Sequence, residues 1–94
     1  MLSKIPIDLG KVDEKNLDKE ILRAAIIAEL DAINLYEEMA ALTNDNDLRK
    51  ILLDVAKEEK THVGEFQTLL LERDPEQETE LVKGREEVKE GLGE

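Results

Sequence analysis

Cysteine and tryptophan are absent from this 94-residue chain. Without thiols there is no disulfide framework and no thiolate metal site. One tyrosine and one phenylalanine supply all the aromatic content, 2% of the residues, so leucine, isoleucine, valine and alanine have to build the core. No apolar run approaches the roughly 20 residues that a membrane span needs, and no secretory leader opens the sequence. A soluble, cytoplasmic protein is the expectation. Positive charge is short: 13 Lys and Arg stand against 24 Asp and Glu, a net charge of −11. Nucleic acids and anionic membranes are bound through basic surfaces, so neither is an expected partner. A field of this sign attracts cations instead.

Proline and glycine are sparse enough to punctuate the chain. Residues 1–15 carry Ile5-Pro6 and Gly10 and no clear period, and read as an extended N-terminal arm. Residues 16–94 read as one helical-hairpin domain. Asn16 is the expected N-cap of a helix from about Leu17 to Leu42, with Asp18 and Glu20 suited to its positive end. Its inner stripe is Leu22, Ala25, Ile26, Glu29, Ala32, Ile33, Tyr36 and Ala40, spaced by three and four. A second apolar line, with Ile27, Leu30 and Leu35, exceeds what one partner helix covers. Thr43-Asn44-Asp45-Asn46 is a turn of short polar residues. A second helix is expected from about Asp47 to Arg73, stopping because Pro75 disfavours helical geometry at Asp74. Asp74-Pro75-Glu76-Gln77 then starts a shorter helix, to about Glu90. The end, Gly91-Leu92-Gly93-Glu94, reads as frayed. The fold class is all-α: a two-helix antiparallel hairpin plus a short C-terminal helix.

The second helix carries an anomaly. Leu52, Val55, Ala56, Val63 and Phe66 mark its buried face, and on that face lie Glu59 and His62, the only histidine. In an antiparallel hairpin, residues equally far from the turn lie side by side. Glu29 and Glu59 are each about fifteen residues from the turn centre, and His62 is one helical turn beyond. One carboxylate from the first helix is thus set level with a Glu-x-x-His pair from the second, all facing inward. Unpaired buried carboxylates lose several kcal/mol or take up a proton. No Lys or Arg shares the stripe at this level, Arg23 and Lys57 being directed elsewhere. A shared metal cation would offset the cost, and oxygen and imidazole ligands without sulfur suit iron, manganese or zinc.

The four-helix di-iron plan uses a lone Glu from each of two helices and a Glu-x-x-His pair from each of the others. This chain holds half of that set. Two chains are therefore expected to pair across a two-fold axis into a ferritin-like four-helix bundle, holding two metals at the interface. Tyr36, two turns after Glu29, is either core filler, a donor to a metal-bound carboxylate or a weak ligand. Glu-x-x-His also arises by chance in acidic helices, and a lone core histidine is commonly satisfied by protein partners. The conjunction with Glu29 and Tyr36 gives the pattern its weight. Asp31, Glu37, Glu38, Glu58 and Glu65 mostly fall off the stripe and belong to a solvated face. Asp31, Glu58 and Glu65 are candidates for a transient cation path.

The segments AIIAELDAINLYEEMA and VAKEEKTHVGEF closely resemble the encapsulated ferritin family, short ferritin-like proteins housed in encapsulin shells. The likeness covers about Leu17 to Glu90. It rests on the Glu29-to-Tyr36 spacing, the Glu59-x-x-His62 motif and the interval between them. It implies a ferroxidase oxidising Fe(II) to Fe(III), with Glu29, Glu59 and His62 as iron ligands, Glu59 bridging a di-iron centre shared between two chains, and Tyr36 close to the metal. It also implies dimers assembled as a decamer of five dimers, and an encapsulin shell protein as partner, placing the chain in the cytoplasm inside an encapsulin nanocompartment. Some members carry extra acids flanking the lone Glu; here Ala28 precedes it and Asp31 follows at two residues. The end of the sequence shows no targeting tail of the separate cargo members, so a shortened chain or one domain of a fusion is expected. The alternatives within the fold are a rubrerythrin-like peroxidase, against which the missing cysteine-bound iron site argues, and a manganese-catalase-like protein. The alternative outside enzymes is a helical assembly module whose Glu and His pair with each other.

Overall fold

Helix-forming residues fill positions 14–42 with neither Gly nor Pro among them, the composition that favours a long uninterrupted helix. The computed structural model describes Gly10 and residues 13–94. It has three helices: α1 (Glu14–Leu42), α2 (Asn46–Arg73) and α3 (Pro75–Gly91). Most of the N-terminal arm expected over residues 1–15 lies outside the described residues. The start of α1 differs from expectation: the cap is Asp13, not Asn16, and the Asn16 N–H already bonds the Asp13 carbonyl at 3.0 Å. Nothing in Glu14–Asn16 opposes helix, and Glu14 in the first turn favours the positive end.

The hairpin turn is built from side chains. The Asp45 carboxylate accepts from the Asp47 and Leu48 N–H groups at 3.0 and 3.1 Å and caps α2, while the Asp45 N–H bonds the Thr43 hydroxyl. The last turn of α1 contains no basic residue, so its terminal carbonyls need donors from elsewhere. Arg49, from the first turn of α2, provides them. Its Nε donates to the Ala40 carbonyl at 3.1 Å, one terminal nitrogen donates to the Thr43 carbonyl, and the other to Asn46 Oδ1 at 3.0 Å. One guanidinium thus ties the negative end of α1 to the start of α2.

A second side-chain junction sets α3. Asp74 ends α2 and caps α3, accepting the Gln77 N–H on Oδ1 at 3.2 Å, with Pro75 in the first helical turn. Its Oδ2 takes the Arg23 guanidinium of α1 at 2.8 Å. Partial burial alone would raise the Asp74 pKa; the Arg23 hydrogen bond, the Gln77 N–H and the nearby Lys19 charge together outweigh it and hold the carboxyl below its ordinary value. The far end of α3 is not frayed. The Gly93 N–H bonds Glu90 O and the Glu94 N–H bonds Lys89 O, at 3.2 and 2.8 Å, with Gly93 at φ 75°. This is a Schellman cap, for which glycine's left-handed conformation is required.

The helices bury little. The interior of the hairpin consists of Leu22, Ile33 and Ala40 from α1 and Ala56 and Leu70 from α2, and α3 contributes nothing to it. Ile21, Leu48, Ile51 and Leu69 are exposed on one side of the hairpin, and Ile27, Leu30 and Leu53 on the other. Among the described residues α3 contacts α2 alone, and sparsely, and projects from the hairpin, giving extents of 46 × 44 × 20 Å. The radius of gyration is 16.6 Å, against about 12 Å for a compact domain of this length.

Two predictions follow from the junctions. Arg49→Ala should lower stability by about 1–3 kcal/mol, since it leaves charge-assisted acceptors unpaired. Thermal unfolding in EDTA should then show a Tm lower by several degrees, and an unchanged Tm would refute the strap. For Asp74, the folded-state pKa is below the ordinary 3.8. Its stabilisation is therefore whole above that value and is lost as pH falls through the lower folded-state value. Hydrogen exchange across residues 75–80 should quicken below about pH 4 in the wild type; Asp74→Asn should remove that pH dependence.

Candidate metal centre

α1 and α2 run side by side, and their register is set by the turn that Asp45 and Arg49 lock. That register brings Glu29 of α1 beside Glu59 and His62 of α2. Each offers one ligand-capable atom, and these atoms lie within 4.8 Å of one another. His62 Nδ1 stands 3.4 Å from Glu59 Oε2 and 3.5 Å from Glu29 Oε2. Among the described residues this is the one group of three or more acidic, histidine or cysteine side chains gathered so closely.

The three are unequally exposed. The Glu59 and Glu29 side chains are 18% and 21% exposed and His62 is 42% exposed. Glu29 Oε2 itself is sealed from water and has no hydrogen-bond partner. The His62 nitrogen is near enough for an electrostatic contact but does not meet hydrogen-bond geometry with it, whereas its contact with Glu59 does at 3.4 Å. A buried carboxylate oxygen without a donor costs about 1–3 kcal/mol. Two carboxylates and an imidazole form an oxygen-and-nitrogen donor set that fits a divalent first-row metal, and the unpartnered oxygen is the atom such an ion would satisfy.

Among the described residues no cation competes for the group. Arg23 is engaged with Asp74, Lys57 is exposed, and Lys60 pairs with Glu37 at 3.1 Å. Glu37, Glu38, Glu58 and Glu65 are exposed and Asp31 is half-buried, in keeping with their place off the inner stripe. Tyr36 is half-buried two turns along α1 from Glu29 and makes no hydrogen bond among the described residues. Sequence reasoning overlooked Arg49, although a lone basic residue just after a polar turn that follows a helix without one is the signal. A hollow of about 250 Å³ is lined by Asp18, Ile21, Leu22, Leu69 and Arg73 at the open end of the hairpin. The described residues shield the Glu–His group only in part, His62 being 42% exposed, and Ile51, eleven residues before His62 on α2, is 60% exposed.

Long antiparallel helices presenting carboxylate and imidazole ligands define the ferritin-like class of helical metalloproteins. A family model described as rubrerythrin matches residues 20–92, and the chain belongs to that family. It is 72% identical over 74 residues to a ferritin-like–encapsulin shell fusion protein of Pyrococcus furiosus, a match covering 79% of this chain and 21% of the relative. It is 42% identical over 69 residues to an encapsulin nanocompartment cargo protein of Myxococcus xanthus, covering 70% of this chain and 53% of the relative. The chain thus spans about a fifth of the first relative and about half of the second. The crystal structure of the encapsulated ferritin domain from Pyrococcus furiosus matches with a TM-score of 0.85 at 61% identity, covering 100% of this chain and 98% of that one.

The unpartnered oxygen yields a prediction that needs no catalysis. Glu29→Leu should raise the Tm of the metal-free protein, because it removes a buried charge without a donor. The same change should abolish the rise in Tm that Mn(II) or Fe(II) produces by binding the folded state. A variant less stable in EDTA and still stabilised by metal would show that Glu29 is satisfied in some other way.

Proposed function

We propose that this chain is a ferroxidase whose centre is completed by a second copy. The observation that carries the reading is the trio of Glu29, Glu59 and His62, half of a two-metal carboxylate set, on a face that the described residues leave partly exposed. Two copies paired across that face would supply four carboxylates and two imidazoles, a shared di-iron centre, and would cover the exposed apolar side chains around it. Fe(II) is the substrate: each ion loses one electron to become Fe(III), and dioxygen or peroxide accepts the electrons with protons from solvent.

The residues' tasks follow from their placement. Glu29 and His62 would hold one Fe(II) each as terminal ligands, and Glu59 would bridge. The carboxylates offset the repulsion between two cations held close together, and Val55, Phe66 and the alanines of α1 keep bulk water from the pair. Tyr36 would donate to a metal-bound carboxylate. The net charge of −11 raises the local concentration of Fe(II). The names of the relatives, an encapsulin shell fusion and an encapsulin cargo protein, support an encapsulin shell as partner. That shell would enclose a decamer of five dimers inside a cytoplasmic nanocompartment and receive the ferric product for storage.

Anaerobic addition of Fe(II) followed by air should give a ferric absorbance rise, with one iron bound per chain. Glu59→Ala and His62→Ala should slow that rise by roughly 100-fold or more, the scale of losing a ligand. Wild-type rates in Glu59→Ala would sink the assignment. The rubrerythrin match makes peroxide the competing oxidant, and turnover with hydrogen peroxide but not with air would favour the peroxidase reading.

A further inference from the structure

α3 leaves the hairpin through a joint one residue long. Asp74 alone separates α2 from α3, and its φ of −137° and ψ of 77° belong to neither helix. Pro75 keeps it out of helical geometry, so the two helices do not merge into one rod. Beyond the joint little holds α3 in place: among the described residues it buries no side chain and meets α2 only sparsely. The bonds that anchor its first turn converge on Asp74. The Gln77 N–H is shared between the Asp74 carbonyl at 3.0 Å and Asp74 Oδ1 at 3.2 Å. Oδ2 takes the Arg23 guanidinium of α1, 51 residues away in sequence, at 2.8 Å. The two oxygens of one carboxylate therefore serve different partners: one starts a helix, and the other ties the joint to α1.

Hinges form at the terminal residues of elements, where one or two positions absorb a change in backbone angle. A helix that packs weakly takes its direction from whatever fixes that position. We propose that α3 is an arm that pivots at Asp74, and that the Arg23 bond to Asp74 Oδ2 is the latch that holds the arm in its observed direction. The latch opens without unfolding the arm, because Oδ1, the Asp74 carbonyl and Pro75 still start the helix when Oδ2 is released. The far end of α3 keeps its own cap at Gly93, so the arm turns as one piece. The Arg23 side chain is 45% exposed against 14% for Asp74, and the latch therefore opens from the arginine side, where solvent reaches the guanidinium. Leu81, Val82 and Val88 are exposed on the arm, and the latch decides where these apolar side chains are presented. The device is separate from the Glu29–Glu59–His62 group and does not depend on whether that group takes a metal.

The chain has no cysteine, so Lys50→Cys with Lys89→Cys, both exposed, places one spin label on α2 and one on α3. Pulsed EPR in EDTA, with unlabelled chains in excess, reads the distance between the labels within one chain. The doubly labelled protein should show one narrow distribution. Arg23→Gln removes the guanidinium, and Asp74→Asn removes the charge while its amide oxygen still accepts the Gln77 N–H. Each change should widen the distribution at least about twofold, as release of a hinge requires, with the helix content by circular dichroism unchanged. Arg73→Gln, beside the joint but bonded to the Leu69 carbonyl, should leave the distribution narrow. The latch is overturned by a starting distribution already as wide as those of the variants, or by variants as narrow as the starting protein. Equal widening by Arg73→Gln also overturns it, since general positive charge and not the Arg23 bond would then hold the arm. Loss of helix content in both Arg23→Gln and Asp74→Asn does the same, because the bond would then support the helix and not its direction.

Discussion

A carboxylate oxygen with neither water nor a hydrogen-bond donor is the constraint on which the rest of this molecule turns. Glu29 Oε2 lies in that state between two long helices, beside Glu59 and His62 of the second. An isolated chain therefore carries an electrostatic cost at its centre, offset only by a weak contact with His62. Surface acids in the same chain carry no such penalty, being hydrated or, like Glu37, paired with a neighbouring lysine. The difference between the two kinds of acid is burial, and burial here marks the residues suited to hold a cation.

The small interior points the same way. Among the described residues five side chains are buried and none of them is polar. Two helices can enclose only the narrow seam between them, which Leu22, Ile33, Ala40, Ala56 and Leu70 fill. Among the described residues, isoleucines and leucines outside that seam such as Ile27, Leu30 and Ile51 stay exposed. Stability is instead concentrated at the ends of the elements, where Asp45, Arg49 and Asp74 satisfy terminal backbone groups that would otherwise be unpaired. These caps fix the register of the hairpin and the departure of α3 without requiring a large core, which suits a chain whose remaining apolar surface is available for association.

Much of this was legible in the residues. The polar turn and Pro75 fixed the helix boundaries to within a few positions, and counting outward from the turn placed Glu29 level with Glu59 and His62 before any coordinates were needed. The start of α1 was not legible, because Asp13 and Asn16 are equally good caps by type and the two residues between them permit helix. The Schellman end was missed because a glycine-rich terminus reads as loose unless Gly93 is recognised as the residue after the cap. The reach of Arg49 back to Ala40 and of Arg23 to Asp74 depends on three-dimensional proximity that helical periodicity does not encode. Periodicity does give α3 its helix, but it does not say that the helix leaves the hairpin.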